Sequence, residues 1–234
     1  MILALTSAIF LLEDASHALS APRRWDRKAW LVVAASVSAG AGFFILDGGI
    51  RDLVTGGQNE DLLAIADGLD HFGNGLWLSS GLLLASGAGF VAKDQTLVDA
   101  GLVGIESWLL AGAISQIGKY GFGRARPYLN EGPFSFSPLS AEEDRHSFPS
   151  GHSAVAFAGL SGFGFRTRNP WIIGTCLAIA SGVAWARVYQ DAHWASDVFW
   201  GAALGTAIGY SLANKHDQRQ TGLSFEGGRV IYRF

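Results

Sequence analysis

Six stretches without a charged residue constrain the fold of this chain more than any other feature. A helix needs about 20 residues, and at least about 17, to cross a hydrocarbon core of about 30 Å. The first two stretches are long enough by themselves, and three of the others reach that length if they begin near Thr96, Ser150 and Trp194. The six stretches are residues 30–46, 72–92, 107–118, 153–165, 171–186 and 198–213.

Composition separates a membrane protein from a soluble one. The chain has 234 residues, of which 49% are hydrophobic and only 16% are charged. A soluble domain of this length cannot bury six apolar helices, so buried helices of a soluble protein are the weaker interpretation. We predict an all-α, six-span transmembrane bundle over residues 29–214, packed closely through small-residue patches such as residues 201–205. A tail follows at 215–234, where 223–232 has the pattern of two short strands around a Gly-Gly turn.

The amino terminus, residues 1–28, allows two interpretations. The apolar run 2–12 has the length of a signal peptide, and residues 17–21 faintly resemble a cleavage site. No Lys or Arg precedes that run, however, and cleavage would reverse the orientation of every later span. We therefore predict an interfacial helix that leads into a basic anchor at 23–28, with Trp25 and Trp30 at the level of the lipid headgroups.

Three short polar motifs interrupt the apolar stretches. If six spans alternate across the bilayer, all three motifs lie on the same side, as a shared site requires. Together they supply three cations, two imidazoles, a hydroxyl and a carboxylate, which can hold a phosphate and transfer it through histidine. The motifs are Lys119-x6-Arg126-Pro127, Pro149-Ser150-Gly151-His152 and Arg187-x5-His193-x3-Asp197.

The second motif has the pattern of an anion site at the start of a helix. Ser150 precedes an apolar helical run, so it is a natural amino-terminal cap. The free N–H groups of a first turn bind phosphate, and Gly151 allows the backbone to approach it closely. An ordinary capped helix would explain Ser150 but not His152.

The third motif places a carboxylate beside an imidazole. His193 and Asp197 are spaced i,i+4 and share a face if the sixth helix begins near Trp194. The carboxylate can then take the proton of one ring nitrogen and leave the other as a nucleophile, although a histidine bonded to a helix cap is the simpler alternative. Arg187, with Lys119 and Arg126 of the first motif, would surround the phosphate oxygens. The alternative role for each of these cations is a snorkelling anchor at the membrane surface. Arg124 lies outside the motif pattern, so an anchor is sufficient to explain it.

In this order the motifs resemble the signature of the type 2 phosphatidic acid phosphatase superfamily, which also includes vanadium haloperoxidases and bacterial class A acid phosphatases. The resemblance implies a six-span helical bundle and a site that needs neither a metal nor a cofactor. His193 would attack phosphorus to form a phosphohistidine, Asp197 would orient it, and His152 would protonate the leaving oxygen. The phosphate would be held by Lys119, Arg126, Ser150, Gly151 and Arg187. The family's third motif usually begins with serine, where this chain has Ala186, so we expect slower or altered activity.

The resemblance implies a membrane enzyme that hydrolyses lipid phosphates or diphosphates. Basic residues at 23–28, 93, 166–168 and 215–219 mark the cytoplasmic side, which predicts a bacterial inner-membrane protein with its site facing the periplasm or exterior.

A nonenzymatic lipid-phosphate binding or transport protein is the main alternative. A vanadium haloperoxidase fits less well because those relatives are soluble. Nucleic acid is not an expected partner, since the net charge is −3 and no basic stripe occurs. The motifs do not indicate an oligomeric state or a particular lipid.

Other polar residues have weaker interpretations. The acidic connector 47–70 predicts an amphipathic surface helix, and a solvated connector explains it at least as well as a substrate role. For Glu106, inside an apolar helix, a structural partner is favoured over catalysis. Asp144 and His146 are interpreted as loop residues, and Cys176 as a small packed side chain.

Overall fold

The computed structural model describes residues 20, 23, 26–219, 222–226 and 229–233, with side chains up to Lys215. The interfacial helix predicted for the amino terminus lies outside the described residues. Two antiparallel strands occupy the tail, β1 (Gly222–Glu226) and β2 (Arg229–Arg233), as its pattern predicts. Within the described part of the chain the helices are α1 (Arg27–Thr55), α2 (Glu60–Asp70), α3 (Gly75–Ala92), α4 (Gln95–Phe122), α5 (Gly151–Thr167), α6 (Pro170–Tyr189) and α7 (Ala195–Arg219).

Four of the described helices, α1, α3, α4 and α6, are long and apolar enough to cross a membrane. The other two predicted spans are α5, which has only 17 residues, and α7. Ten of the 17 residues of α5 are buried by neighbouring helices, which explains its many small and polar side chains. A helix enclosed by protein does not need the long apolar surface that lipid requires.

Glycine sets the distance between α5 and α7. Gly201, Gly205 and Gly209 recur once per turn of α7 and face α5. A Cβ on Gly201 would lie 2.5 Å from the carbonyl oxygen of Ser150, and one on Gly205 would collide with the carbonyl of Ala154. This close approach, which the small-residue patches predict, brings the first turn of α5 beside the first turn of α7.

Local capping explains where the helices begin. Asp94 caps α4 by accepting from the N–H of Leu97, and Ser150 caps α5, so both helices begin within one residue of the predicted positions. The first helix is longer than predicted, because α1 continues from residue 46 to Thr55. Asp47 and Arg51, which end the charge-free stretch, are both paired with charged side chains of other segments, Asp47 in a buried pair and Arg51 in a partly exposed one, and do not terminate the helix.

The acidic connector is packed against the bundle. The predicted amphipathic helix exists as α2, and its Ala66 lies in an apolar cluster with Ala186 and Tyr189 of α6. A short 3₁₀ turn, His71–Gly73, follows α2 and presses on α5, where a Cβ on Gly73 would lie 2.8 Å from the Cβ of His152. Most of the connector, including Glu60, Asp61 and Asp67, is exposed, while one face of α2 packs on the bundle and its end lies beside the second motif.

Candidate active site

The loop between α4 and α5 folds back on itself and brings the three motifs together. Gly123 ends α4 with a φ of +59°, in the left-handed region that glycine adopts without strain. Beyond it, the N–H of Arg126 donates to the carbonyl of Asp144 at 2.9 Å, which joins the two halves of the loop. The loop then delivers Ser150, whose N–H donates to the carbonyl of Asp197 at 3.0 Å.

His193 lies in the short connection between α6 and α7 and is 2% exposed. Its N–H donates to the carbonyl of Arg187 at 3.2 Å, so the third motif is closed by its own backbone. The ring nitrogen Nδ1 lies 3.6 Å from Oδ2 of Asp197 and 3.4 Å from Oγ of Ser147. That Oδ2 also accepts from the Ser147 hydroxyl at 2.5 Å and from the Trp194 N–H at 2.9 Å. The carboxylate is thus fixed beside Nδ1 of His193, which leaves Nε2 as the nitrogen able to act as a nucleophile.

The charges around His193 favour its neutral form. Complete burial is the main cause that holds its pKa well below the usual 6.5, and the positive charges of Arg187, Arg126 and Lys119 lower it further. A cation close enough to repel an imidazolium is also close enough to attract a phosphate bound there. The three predicted cations therefore converge on the predicted nucleophile, which keeps a free lone pair at neutral pH.

His152 is paired with Asp70, a carboxylate that lies outside the three motifs. Its Nε2 lies 3.5 Å from Oδ2 of Asp70, and the two side chains are 34% and 24% exposed. The other oxygen of Asp70 accepts from Nη1 of Arg187 at 2.9 Å. The last residue of α2 thus contacts a cation of the third motif and the histidine of the second.

The first turn of α5 begins where the sequence predicts an anion site. The Ser150 hydroxyl accepts from the N–H of Ser153 at 3.4 Å, which is a weak cap. The side of Gly151 that lacks a side chain faces Lys119, whose Nζ would lie 3.1 Å from a Cβ at that position. The ammonium and the free N–H groups therefore border the same space.

The structure brings all eight predicted site residues to one end of the bundle and adds four that the motifs do not contain. These are Asp47, Asp70, Arg124 and Ser147. Arg124 is fully buried and bonds Asp197 at 2.5 Å, so it is not an anchor facing lipid. One signal was present in the sequence, because a third cation between Lys119 and Arg126 is unusual in an apolar protein.

Several other polar residues have structural settings. His146 is 7% exposed and its Nε2 lies 2.8 Å from the carbonyl of Ser140, which agrees with the loop interpretation. Cys176 is buried in an apolar cluster, as expected. Glu106 precedes Lys119 by 13 residues of α4, and at 1.5 Å per residue it lies about 20 Å from the site. Ala186 is fully buried and lies in the cluster formed with α2.

Comparison with known families agrees with this geometry. A family model described as the PAP2 superfamily matches residues 101–220, just over half of the chain and all three motifs. The chain belongs to the PAP2 superfamily. The matched part runs from α4 to the end of α7, so the family assignment covers the elements that carry the predicted catalytic residues.

Curated relatives of the chain are lipid phosphatases. Lipid A 1-phosphatase of Porphyromonas gingivalis is 37% identical over 102 residues, 43% of this chain and 20% of that protein. Lipid A 1-phosphatase of Rhizobium johnstonii is 31% identical over 150 residues, 58% of this chain and 61% of that protein. Undecaprenyl-diphosphatase of Sulfolobus acidocaldarius is 28% identical over 111 residues, 47% of this chain and 52% of that protein. The matches span less than two thirds of each of these relatives.

Two solved structures share the fold over most of the chain. A transmembrane PAP2 type phosphatidylglycerolphosphate phosphatase from Bacillus subtilis has a TM-score of 0.59 at 20% identity, covering 93% of this chain and 97% of that one. LpxE from Aquifex aeolicus has a TM-score of 0.55 at 22% identity, covering 73% of this chain and 95% of that one. At these identities the likeness establishes the fold of a PAP2 membrane phosphatase.

Proposed function

We propose that this protein is an integral-membrane phosphatase that hydrolyses phosphomonoester or diphosphate groups of lipids through a phosphohistidine, without a metal. One observation carries the proposal. His193 is a buried imidazole with a lowered pKa, backed by Asp197 at one nitrogen and surrounded by three cations. A neutral nucleophile in a cationic pocket is what attack on a phosphate requires.

The first half of the reaction makes the phosphohistidine. Lys119, Arg126 and Arg187 hold the phosphate oxygens with the N–H groups around Gly151. Nε2 of His193 attacks phosphorus while Asp197 and Ser147 hold Nδ1 and stabilise the charge that develops on the ring. His152 donates a proton to the leaving lipid oxygen as its bond to phosphorus breaks.

The second half releases phosphate. The neutral His152 takes a proton from water, and the resulting hydroxide oxygen attacks the phosphohistidine to give inorganic phosphate and free His193. Asp70 supports both steps, because a carboxylate 3.5 Å from His152 stabilises the protonated ring. The lipid portion of the substrate leaves before water enters, so the two half-reactions use one site.

The proposal includes a membrane arrangement with six crossings. Six crossings by α1, α3, α4, α5, α6 and α7 put the three motifs on one side, with α5 and α7 enclosed by the others. The distribution of basic residues favours a site that faces away from the cytoplasm, at the periplasmic surface of a bacterial inner membrane. Amphiphilic phosphates reach such a site laterally from the bilayer, in keeping with the named activities of the relatives.

Phosphate release from lipid phosphates tests the proposal. Wild type and His193→Ala are compared in detergent with EDTA on phosphatidic acid, phosphatidylglycerol phosphate, undecaprenyl diphosphate and lipid A 1-phosphate. We expect release by wild type alone, and an acid-labile phosphoenzyme when radiolabelled substrate is quenched during turnover. Size-exclusion chromatography confirms that the variant is folded.

Two results would refute the proposal. Near wild-type phosphate release by His193→Ala would show that His193 is not the nucleophile. Lipid phosphates that bind to wild type but release no phosphate would favour the binding or transport protein. Activity that is lost in EDTA and restored by a divalent metal would refute only the metal-independent part.

A further inference from the structure

A buried ion pair connects α1 to the catalytic carboxylate. Asp47 is fully buried in α1, and its Oδ1 accepts from the N–H of Ser196 at 2.8 Å. Its Oδ2 accepts from the Ser196 hydroxyl at 2.6 Å and from Nη2 of Arg124 at 2.7 Å. An acid that lies inside an apolar helix is costly unless it is paired, and here every oxygen is satisfied.

Arg124 uses the two arms of its guanidinium on two different carboxylates. Nη2 bonds Asp47, while Nη1 donates to Oδ1 of Asp197 at 2.5 Å and to the Ser196 hydroxyl at 2.7 Å. Nε is used as well, because it donates to the carbonyl of Pro133 at 2.9 Å. The planar fork therefore has a single orientation, fixed from α1 on one side and from the loop on the other.

The contact between Arg124 and Asp197 also affects the proposed nucleophile, His193. Arg124 occupies Oδ1 of Asp197, so Oδ2 is the oxygen turned toward Ser147, the Trp194 N–H and Nδ1 of His193. A carboxylate held at only one oxygen can rotate about its last bond. Held at both, it keeps the 3.6 Å approach to the imidazole.

We propose that Asp47 and Arg124 are positioning residues for the nucleophile, which fix Asp197 in the rotation that orients His193. The inference rests on the proposed function and goes beyond the three motifs, since Asp47 lies on α1, outside all of them. Neither side chain touches the substrate. They act through Asp197.

A purely structural role makes a different prediction. Buried ion pairs are often replaceable by neutral side chains of similar size without loss of stability. If Asp47 and Arg124 only fill space and balance charge, a neutral pair serves equally well. If they position Asp197, a neutral pair preserves the fold but lowers the rate of the chemical step.

The test is the double variant Asp47→Asn with Arg124→Met, which leaves the summed charge of Asp47, Arg124 and Asp197 at −1. Its matched control is Asp99→Asn with Arg166→Met, which removes a 2.6 Å ion pair from the other end of α4 and α5. Lipid phosphate hydrolysis gives kcat and KM, inhibition by inorganic phosphate gives Ki, and a thermal melt in detergent gives stability.

We expect the double variant to lose at least about 10-fold in kcat, because a small misplacement of a reacting group has a large effect on rate. KM and Ki for phosphate should stay within about 3-fold, since the cations of the pocket are untouched. The control should keep the wild-type kcat even if it melts earlier.

A double variant that keeps the wild-type kcat would overturn the inference, as would an equal fall in the control or a parallel rise in Ki. If the double variant does not fold, Asp47→Asn alone replaces it, because it keeps the size of the side chain and one acceptor. An unchanged kcat in that variant would overturn the inference, and a reduced kcat with unchanged Ki would support it. A wild-type chain that releases no phosphate would refute the proposed function, and this inference with it.

Discussion

Removing the charge of Asp70 should lower kcat selectively for substrates whose leaving group must be protonated. Asp70 lies 3.5 Å from Nε2 of His152. Two unit charges at that distance interact by about 1 kcal/mol at the dielectric constant of water and about 5 kcal/mol at an effective value of 20. Both side chains are partly exposed, so we take about 2 kcal/mol, which corresponds to roughly 30-fold in the stability of the protonated ring.

The expected loss in kcat for Asp70→Asn is smaller than that figure. A less stabilised imidazolium is also a stronger acid, which offsets part of the effect, so we expect about 10-fold on an alkyl lipid phosphate. A p-nitrophenyl ester leaves without much help from a proton, and its kcat should fall less than about 3-fold. KM should not rise, because Arg187 loses a partner that competes with phosphate.

The assay compares both substrates at neutral pH for wild type, Asp70→Asn and the control Asp67→Asn. Asp67 is the same residue type one turn earlier in α2, and it accepts from Gln190 at 2.7 Å. The control should keep the wild-type kcat on both substrates. Equal losses on the alkyl and p-nitrophenyl substrates in Asp70→Asn would refute the reasoning, since they would place the effect before leaving-group protonation.

Three further predictions follow from the site. The ring of His193 should stay neutral well below pH 6.5 in an ¹⁵N NMR titration because its pKa is lowered, and since the unfolded chain takes up the proton, stability should fall as the pH drops below about 6.5. Gly151→Ala puts a methyl group 3.1 Å from Nζ of Lys119 and should raise KM and Ki for phosphate several-fold in a folded protein, and unchanged values would contradict the proposed pocket. Contrary to the expectation from the family resemblance, Ala186→Ser should change kcat for lipid phosphates less than about 3-fold, because its hydroxyl would enter the apolar cluster that holds Ala66, and a 10-fold rise would show that the hydroxyl reaches the substrate.

The elements that the sequence predicts well are those with a local cause. A serine before an apolar run specifies a cap, and the i,i+4 spacing of His193 and Asp197 specifies their proximity once a helix begins after Trp194. The convergence of the three motifs follows from the alternation of the helices. These predictions need no knowledge of which helices are neighbours.

The residues that the sequence does not reveal depend on contacts between distant segments. Arg124 and Asp47 are 77 residues apart, and Arg187 and Asp70 are 117 apart. The charge of Asp47 ends an apolar run in the sequence, so the continuation of α1 to Thr55 is not predicted. Only the folded protein brings Arg124 close enough to neutralise that charge. The span predicted at α5 is likewise shorter than the length rule requires, and ten of its 17 residues are buried by other helices.

The two histidines are each paired with a carboxylate, yet their exposures differ in the way their proposed roles require. The side chains of His193 and Asp197 are 1% and 0% exposed, whereas those of His152 and Asp70 are 34% and 24% exposed. A nucleophile gains from burial, because water would otherwise solvate its lone pair. A group that donates a proton in one half-reaction and accepts one in the next must be reached by water in every cycle. In the proposed mechanism, the buried pair at the start of α7 would carry out nucleophilic attack, and the more exposed pair between α2 and α5 would carry out proton transfer, within a single pocket.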